Sequence, residues 1–459
     1  MKIHRVHIDY AIEMFREVMK KNRQSEDVWR TYAALHKEWG KRDRAFIANL
    51  FYSLLRYQRY YQTILSKLNI KEEDDFLLAG VYAALQGYYS GKHAWWPQFS
   101  AEEIKYIANE KDLLPAELLS IPDWLYQRYP NALIWEKLNQ PAPVYIRVNT
   151  LKTTQARLVK EFEKESVEYT IVGENVISVE QKMQLTKHTL YQSGWFEIQD
   201  ISSQQVVPFL QVEPGMVVLD ACAGAGGKSL HLAAAMKNQG IIISTDVHTH
   251  KLQQLQLRAK RAGATMIDTT LLNDKFVQHH ITHFHRILTD VPCSGTGTIR
   301  RKPEIKWKLS EQRLHELISL QRNILKQAVS MLQPGGKMVY STCSILPDEN
   351  EQQVEWLLKE FSHLELEASQ RLEPTHGGDG FFMARVKARD TIPKRYVKFG
   401  FYIYSWLVLS PTIFALGWCY HQPFSPFVSH FSPFVSHSLL LKICPRWKRH
   451  GTQPAGYGY

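Results

Sequence analysis

The stretch Arg286-Ile287-Leu288-Thr289-Asp290-Val291-Pro292-Cys293-Ser294-Gly295-Thr296-Gly297 decides the fold. Its first residues predict a buried parallel strand, and the strand ends at an acid, a proline and a cysteine before opening into a glycine-rich loop. Such an end makes a poor core and a good floor for a site. In open α/β sheets ligands sit beyond the carboxyl ends of the strands, on loops that the strands below hold still. A second strand behaves alike: Gly336-Lys337-Met338-Val339-Tyr340 runs into Ser341-Thr342-Cys343-Ser344. Two cysteines, Cys293 and Cys343, therefore stand at two strand ends of one predicted sheet.

Upstream, Met216-Val217-Val218-Leu219-Asp220 predicts a strand that feeds Ala221-Cys222-Ala223-Gly224-Ala225-Gly226-Gly227-Lys228 and then a helix from Leu230 to Met236. Glycines at a strand-to-helix turn let a ligand approach the backbone, and the helix N-terminus favours negative charge there. Three ligands compete for this loop. A dinucleotide would need glycine where Ser229 stands, and a phosphate loop matches Gly227-Lys228-Ser229 but would need glycine at Cys222. S-adenosylmethionine is the third: its carboxylate could take the helix N-terminus and Lys228, and its ribose an acid from the next strand. That acid is Asp246, which ends Gly240-Ile241-Ile242-Ile243-Ser244-Thr245. A strand near 266–272 ends in Asn273-Asp274, placed either to reach an adenine amino group or to cap a helix. A helix over 310–332, another near Pro347-Asp348-Glu349 and a closing strand Phe381–Val386 complete a βα alternation. The pattern argues a doubly wound α/β sheet with right-handed crossovers.

Residues 1–125 predict a helical bundle. Val6, Tyr10, Met14 and Val18, with Ala11 and Phe15, form one apolar stripe; a second helix is capped by Ser25 and buries Val28, Tyr32 and Leu35; a third starts near Asp43 and buries Phe46, Ile47, Leu50, Phe51, Leu54 and Leu55. Over 1–67 there are 14 basic and 7 acidic residues, and Lys41, Arg42, Arg44, Arg56 and Arg59 are interleaved with Tyr57, Tyr60 and Tyr61. An RNA-binding face with stacking aromatics and a solvated surface over a Tyr-rich core both fit. From 126 to 205 the composition changes to a small α+β unit, with Arg147 and Asn149 as candidate polar contacts on a strand. The catalytic sheet is expected over 206–390.

The chain of 459 residues is 44% apolar and 12% aromatic, which excludes a disordered chain. Its net charge of +11 is misleading, because residues 391–459 hold seven of the 56 Lys and Arg residues and none of the 45 acids, leaving 49 against 45 over the first 390. A basic groove must therefore be local; Arg300, Arg301, Lys302, Lys306 and Lys308, opposed only by Glu304, are the candidate. Five cysteines without CxxC spacing argue neither a disulfide framework nor a metal site. The N-terminus has no apolar signal region, so a cytoplasmic protein is expected.

The sequence of motifs Asp220–Lys228, Asp246, Asp274, Asp290–Gly297, Lys306-Trp307 and Ser341–Ser344 resembles the Sun/Nop-type RNA cytosine-5 methyltransferases, most closely their bacterial 16S ribosomal RNA branch. Arg147–Leu151, Gln199–Ser203 and Gly377–Phe382 extend the resemblance over about 120–390; over 1–120 it is weaker. It implies a Rossmann-like class I methyltransferase sheet preceded by a NusB-like helical domain. It also implies that Cys343 adds to C6 of cytosine, that Cys293 assists release of the C5 proton, and that Asp290 holds the cytosine edge between cofactor and base. By the same resemblance S-adenosylmethionine is contacted by Cys222, Ala223, Gly224, Ala225, Gly226, Gly227, Lys228, Asp246, Asp274 and Asp290. Arg300, Arg301, Lys302, Lys306 and Lys308 would grip RNA phosphates. The expected partner is 16S ribosomal RNA before or during subunit assembly, met by a monomer without an obligate protein partner. A transfer RNA methyltransferase and a catalytically silent RNA-binding assembly factor are the alternatives.

The tail departs from the family pattern, which ends near Arg389. Phe399 to Tyr420 has no charged residue over 22 positions, and Phe424–His430 repeats at once as Phe431–His437. A translated frameshift or readthrough fits this composition better than a membrane anchor, with an interaction tail as the third reading.

Overall fold

Up to Leu138 the computed structural model contains helices as its only regular elements among the residues that it describes, which are 4–71, 74–88, 100–109, 112–179 and 185–390. The helix Arg5–Lys20 buries Ile8, Ala11, Ile12, Met14, Phe15 and Val18. The expected stripe is thus rotated: Val6 is 48% exposed, because the face through Ile8, Ile12 and Phe15 carries more apolar surface and packs on the helices Lys41–Lys67 and Asp75–Leu85. Leu35, expected inside, is exposed at the end of the helix Ser25–Leu35, and Ser25 is not its cap but its first residue. The third apolar set, from Phe46 to Leu55, is buried as expected. Its helix starts at Lys41 behind Gly40, whose N–H donates to Asp43 Oδ2 at 3.2 Å, and it is broken at Tyr57 by non-helical torsions (φ −119°, ψ 19°).

A four-stranded antiparallel sheet follows, made of β1 (Val144–Val148), β2 (Tyr169–Gly173), β3 (Val176–Val179) and β4 (Phe196–Ile198) in the order β2-β3-β1-β4. The helix Gln155–Lys164 covers it with Leu158 and Phe162, which pack on Ile146, Val148, Ile177 and Phe196. Arg147 and Asn149 face inward: Arg147 Nε donates to Gln199 Oε1 (2.8 Å), and Asn149 Nδ2 donates to the carbonyls of Gly194 (2.7 Å) and Ala262 (2.8 Å). They are ties between segments, not ligand contacts.

The large sheet contains β5 (Val217–Asp220), β6 (Ile241–Asp246), β7 (Ile267–Leu271), β8 (Phe284–Asp290), β9 (Leu332–Thr342), β10 (Leu364–Leu372) and β11 (Phe381–Ala388), in the order β10-β11-β9-β8-β5-β6-β7. The five strands from β9 to β7 are parallel, and β11 and β10 close the edge antiparallel. One face is covered by residues such as Leu325, Ala328 and Leu357, the other by Leu230, Ala233, Leu255 and Val207. Strand β10 was not expected. Its residues are mostly exposed and rich in Glu and Gln, so it shows no buried periodicity and is held mainly by its ladder with β11.

The chain steps from β5 outward to β7 and then returns to place β8 on the other side of β5. Beyond the carboxyl ends of β5 and β8 lies the crevice where such sheets bind ligands. Register brings the strand ends level: Asp220 is opposite Leu288, and Asp290 opposite Ser341. No helix among the described residues is long and apolar enough to cross a membrane. The uncharged segment 399–420 and the tandem repeat lie outside the described residues.

Candidate active site

After β5 the chain turns sharply, and backbone bonds fix the turn against β6. Ala223 N–H donates to Thr245 O (2.8 Å), Gly226 N–H to Ala223 O (2.9 Å), and Gly224 N–H to Asp246 Oδ2 (3.0 Å). Gly226 has φ +87°, and a Cβ there would stand 2.5 Å from Leu255 Cγ, so glycine is required both by torsion and by space. Above Gly224 and Gly227 a Cβ would meet nothing within 4 Å; this side of the loop is open. Asp246 is buried at the end of β6, and its second oxygen accepts from His248 N–H at 2.9 Å. Asp220 lies beneath the loop. Ser229 Oγ donates to its Oδ2 (2.7 Å), Oδ1 has no partner, and burial pushes the carboxyl up to about 6 against the pull of that hydrogen bond.

Lys228, in the first turn of the helix Gly227–Ala235, reaches across the crevice to β8. Its Nζ lies 2.5 Å from Asp290 Oδ2 and 5.4 Å from the centre of the Phe381 ring. Burial alone would lower the lysine, but the Asp290 carboxylate outweighs it and holds the ammonium above its ordinary range. Ser341 Oγ donates to Asp290 Oδ1 at 3.0 Å, so both carboxylate oxygens are occupied.

Three residues beyond β8 and one beyond β9, the sulfurs of Cys293 and Cys343 stand 3.3 Å apart, both partly exposed. The hydrogen bond to Cys343, and then burial, push the Cys293 thiol well above its ordinary range. Cys222 is likewise raised, by burial and by the acids around it, and makes no thiol contact of this kind.

A layer beneath the thiols holds their loops together. Glu349 is fully buried and receives Ser294 N–H (2.8 Å), Ser294 Oγ–H (2.5 Å) and Gln321 Nε2–H (2.9 Å). Gly297 N–H donates to Cys343 O, and Gly380 N–H to Gly297 O, both at 2.9 Å. Asn350 accepts from Thr342 Oγ (2.6 Å) and donates to Ser344 O (3.0 Å). Pro347-Asp348-Glu349 reads in sequence as a helix start, which hides this role of Glu349 and Asn350. The only signal in sequence is Glu349-Asn350 two residues after Pro347, and it does not distinguish a polar helix start from a buried tie.

The description "16S rRNA methyltransferase RsmB/F" matches residues 207–407, and an RsmF/B-like ferredoxin-like domain matches 121–186. The probable ribosomal RNA small subunit methyltransferase B of Synechocystis is 30% identical over 325 residues, covering 63% of this chain and 72% of that protein. The Bacillus subtilis protein of the same description is 31% identical, covering 64% and 70%. The chain belongs to the RsmB/F family. A solved methyltransferase homologue from Pyrococcus horikoshii, 28% identical, overlays with a TM-score of 0.54 over 60% of this chain and 97% of its own.

In this RsmB/F member Cys343, Cys293, Asp290, Lys228 and the 222–228 loop converge on one crevice. Asp274 is exposed in the first turn of the helix Asp274–His279, whose cap is Asn273; Leu272 N–H on Asp246 O (3.3 Å) keeps that turn beside the Asp246 loop. The basic cluster is corrected. Arg300 donates to the carbonyls of Pro141 and Gly377, both at 3.0 Å. Arg301 pairs with Asp200 and Asp379. Lys306 is fully buried, and Lys308 Nζ donates to Arg23 O (2.7 Å). Four of the five side chains are therefore spent inside the protein, and the partly exposed Lys302 side chain alone of the five has no partner among the described residues.

Of the two readings of the basic tyrosine face in the helical region, the Tyr-rich core is the one that the side chains follow. Tyr61 is buried on Ser53, Tyr60 donates to Ala108 O, Arg56 to Arg300 O and Arg44 to three backbone carbonyls, whereas Lys41 and Arg42 are exposed. A helix that must join a neighbouring domain needs donors for that domain's carbonyls, and composition alone cannot tell these from donors for phosphate.

Proposed function

We propose that this small-subunit ribosomal RNA methyltransferase transfers a methyl group from S-adenosylmethionine to C5 of a cytosine, with Cys343 as the nucleophile. The carrying observation is the thiol pair, 3.3 Å apart beside Asp290 at the mouth of the Asp220–Lys228 loop. The residues present fit the cofactor: the loop is open above Gly224 and Gly227, and Asp246 is fixed at a strand end by two backbone N–H groups. Residues 222–228 would hold its methionine part, Asp246 its ribose hydroxyls and Asp274 its adenine. When bound, S-adenosylmethionine supplies an electrophilic methyl group.

Cytosine C5 is a weak nucleophile, and the chain's own groups correct this. The Cys343 thiolate forms a bond to C6, and the electron pair of the C5–C6 double bond becomes available at C5 to take the methyl. Asp290, charge-balanced by Lys228, holds the pyrimidine edge and assists protonation at N3. C5 then carries both a methyl group and a proton. Transfer of that proton to solvent water restores the double bond as the S–C6 bond breaks and Cys343 leaves as thiolate, and Cys293, in contact with the departing sulfur, is placed to assist. The target base must leave its stack to reach these loops.

The test uses small-subunit ribosomal RNA containing 5-fluorocytosine, which has no C5 proton to lose. With S-adenosylmethionine the protein should form an adduct that survives denaturation, persists in Cys293→Ala and vanishes in Cys343→Ala. Cofactor binding by calorimetry without any adduct would overturn the proposal.

A further inference from the structure

The break at Tyr57 opens two hydrogen bonds of the helix Lys41–Lys67, and every group released is taken by another segment. In an unbroken helix Arg59 N–H would donate to Leu55 O and Tyr60 N–H to Arg56 O. Instead both N–H groups donate to Ser120 Oγ, at 3.0 and 3.3 Å. Leu55 O accepts from Trp307 Nε1 (2.6 Å) and Arg56 O from Lys306 Nζ (2.5 Å). Lys306 also donates to Ser120 O (2.8 Å) and Asn139 Oδ1 (2.9 Å). Its ammonium is therefore buried with three neutral acceptors and no carboxylate, and burial, with Arg56 nearby, pushes it well below the usual lysine range. Beside it Glu304, also buried, accepts from Ser25 N–H (3.0 Å) and Ser25 Oγ–H (2.8 Å).

This junction is directly continuous with the cysteine loop. Ile305 Cδ1 packs against Gly295, so close that a Cβ on that glycine would lie 3.2 Å from it. Gly297, two residues on, holds Cys343 O. A shift of the segment 300–308 is thus passed through Ile305 to the loop bearing Cys293 and through Gly297 to the loop bearing Cys343.

We propose that Lys306 and Trp307 are positioning residues, through which the opened turn of the helical region fixes the spacing of Cys293 and Cys343. The inference rests on the reading of the thiol pair given above. A buried ammonium makes a costly structural link, since an apolar side chain would serve cohesion alone. What it adds is direction: three acceptors from three segments fix one point in space.

The test uses the full chain with Lys306→Met and Trp307→Phe, the latter keeping a ring and removing only the N–H given to Leu55. Folding is checked by melting, and cofactor affinity by calorimetry. With unmodified ribosomal RNA both variants should keep cofactor affinity and KM while kcat falls about 10- to 100-fold, the effect of a misplacement near 1 Å. Both should also accumulate a denaturation-resistant RNA adduct, as Cys293→Ala should, because the releasing thiol is displaced from the nucleophile; adding Cys343→Ala should abolish it. A link that serves stability alone would give neither effect beyond the loss of folded protein, and that result would overturn the inference. Should Lys306→Met fail to fold, Trp307→Phe decides alone. If Cys293→Ala traps no adduct on unmodified RNA while wild type forms one with 5-fluorocytosine RNA, the inference falls and the nucleophile stands; if neither forms, both fall.

Discussion

Lys228 Nζ stands 2.5 Å from Asp290 Oδ2, so one ion pair bridges the cofactor loop after β5 and the cysteine loop after β8. Lys228→Met strands a carboxylate in the crevice. It should lower stability by about 2–3 kcal/mol and methyl transfer by about a hundredfold. Adding Asp290→Asn should restore most of the stability in urea unfolding without restoring single-turnover activity, because the unpaired charge is gone but the group facing the base is changed too.

Glu349 organises the Ser294 loop without facing the crevice. In Glu349→Gln one of the two acceptor oxygens becomes a donor facing a donor, a loss of about 1–3 kcal/mol. The kcat should fall about tenfold while cofactor affinity, measured by calorimetry, is unchanged. A change confined to cofactor affinity would contradict the role assigned to it.

Asp220 gives the protein a pH signature. Its folded carboxyl sits near 6, above the unfolded value of about 3.9, so between these values the native state binds more protons. Stability contributed by this group therefore falls as pH rises through that window, and the loss, about 3 kcal/mol, is complete above it. Asp220→Asn should be no more stable than wild type at pH 4 and relatively more stable at pH 7. Urea midpoints of the two proteins over this range give the difference directly, with the other titrating groups cancelling.

Gly297 is a contact of backbone with backbone. A Cβ there would lie 1.9 Å from Gly380 O and 2.9 Å from Cys343 O, neither of which can swing aside as a side chain would. Gly297→Ala should cost about 3 kcal/mol and separate the two thiols, seen as a slower formation of the 5-fluorocytosine adduct in whatever protein remains folded.

Much of the site was legible because its chemistry is concentrated at strand ends. The runs before Asp220, Asp246, Asp290 and Cys343 are buried strands, and their order dictates a crevice between β5 and β8. What could not be read was the direction of polar side chains. Arg300, Arg301 and Lys306 have the composition of a phosphate grip, yet each is turned to backbone carbonyls or buried acids that come from 74 to 250 residues away in sequence, such as Arg56 O and Asp379. Strand β10 was hidden because an exposed edge strand needs no apolar alternation, whereas the stripe of the first helix was legible through Ala11, Met14, Phe15 and Val18 and failed only at Val6, where Ile8 and Ile12 take the buried face.

The opened turn at Tyr57 also limits how the chain can be divided. A cut after residue 125 would respect the change in composition, but it would leave Lys306 with one of its three acceptors and Trp307 with none, and would return two carbonyls of the severed helix to water. Neither piece would be whole. The helical part has lent its neighbour the hydrogen bonds that would have kept its longest helix straight, so neither part completes its own hydrogen bonding without the other.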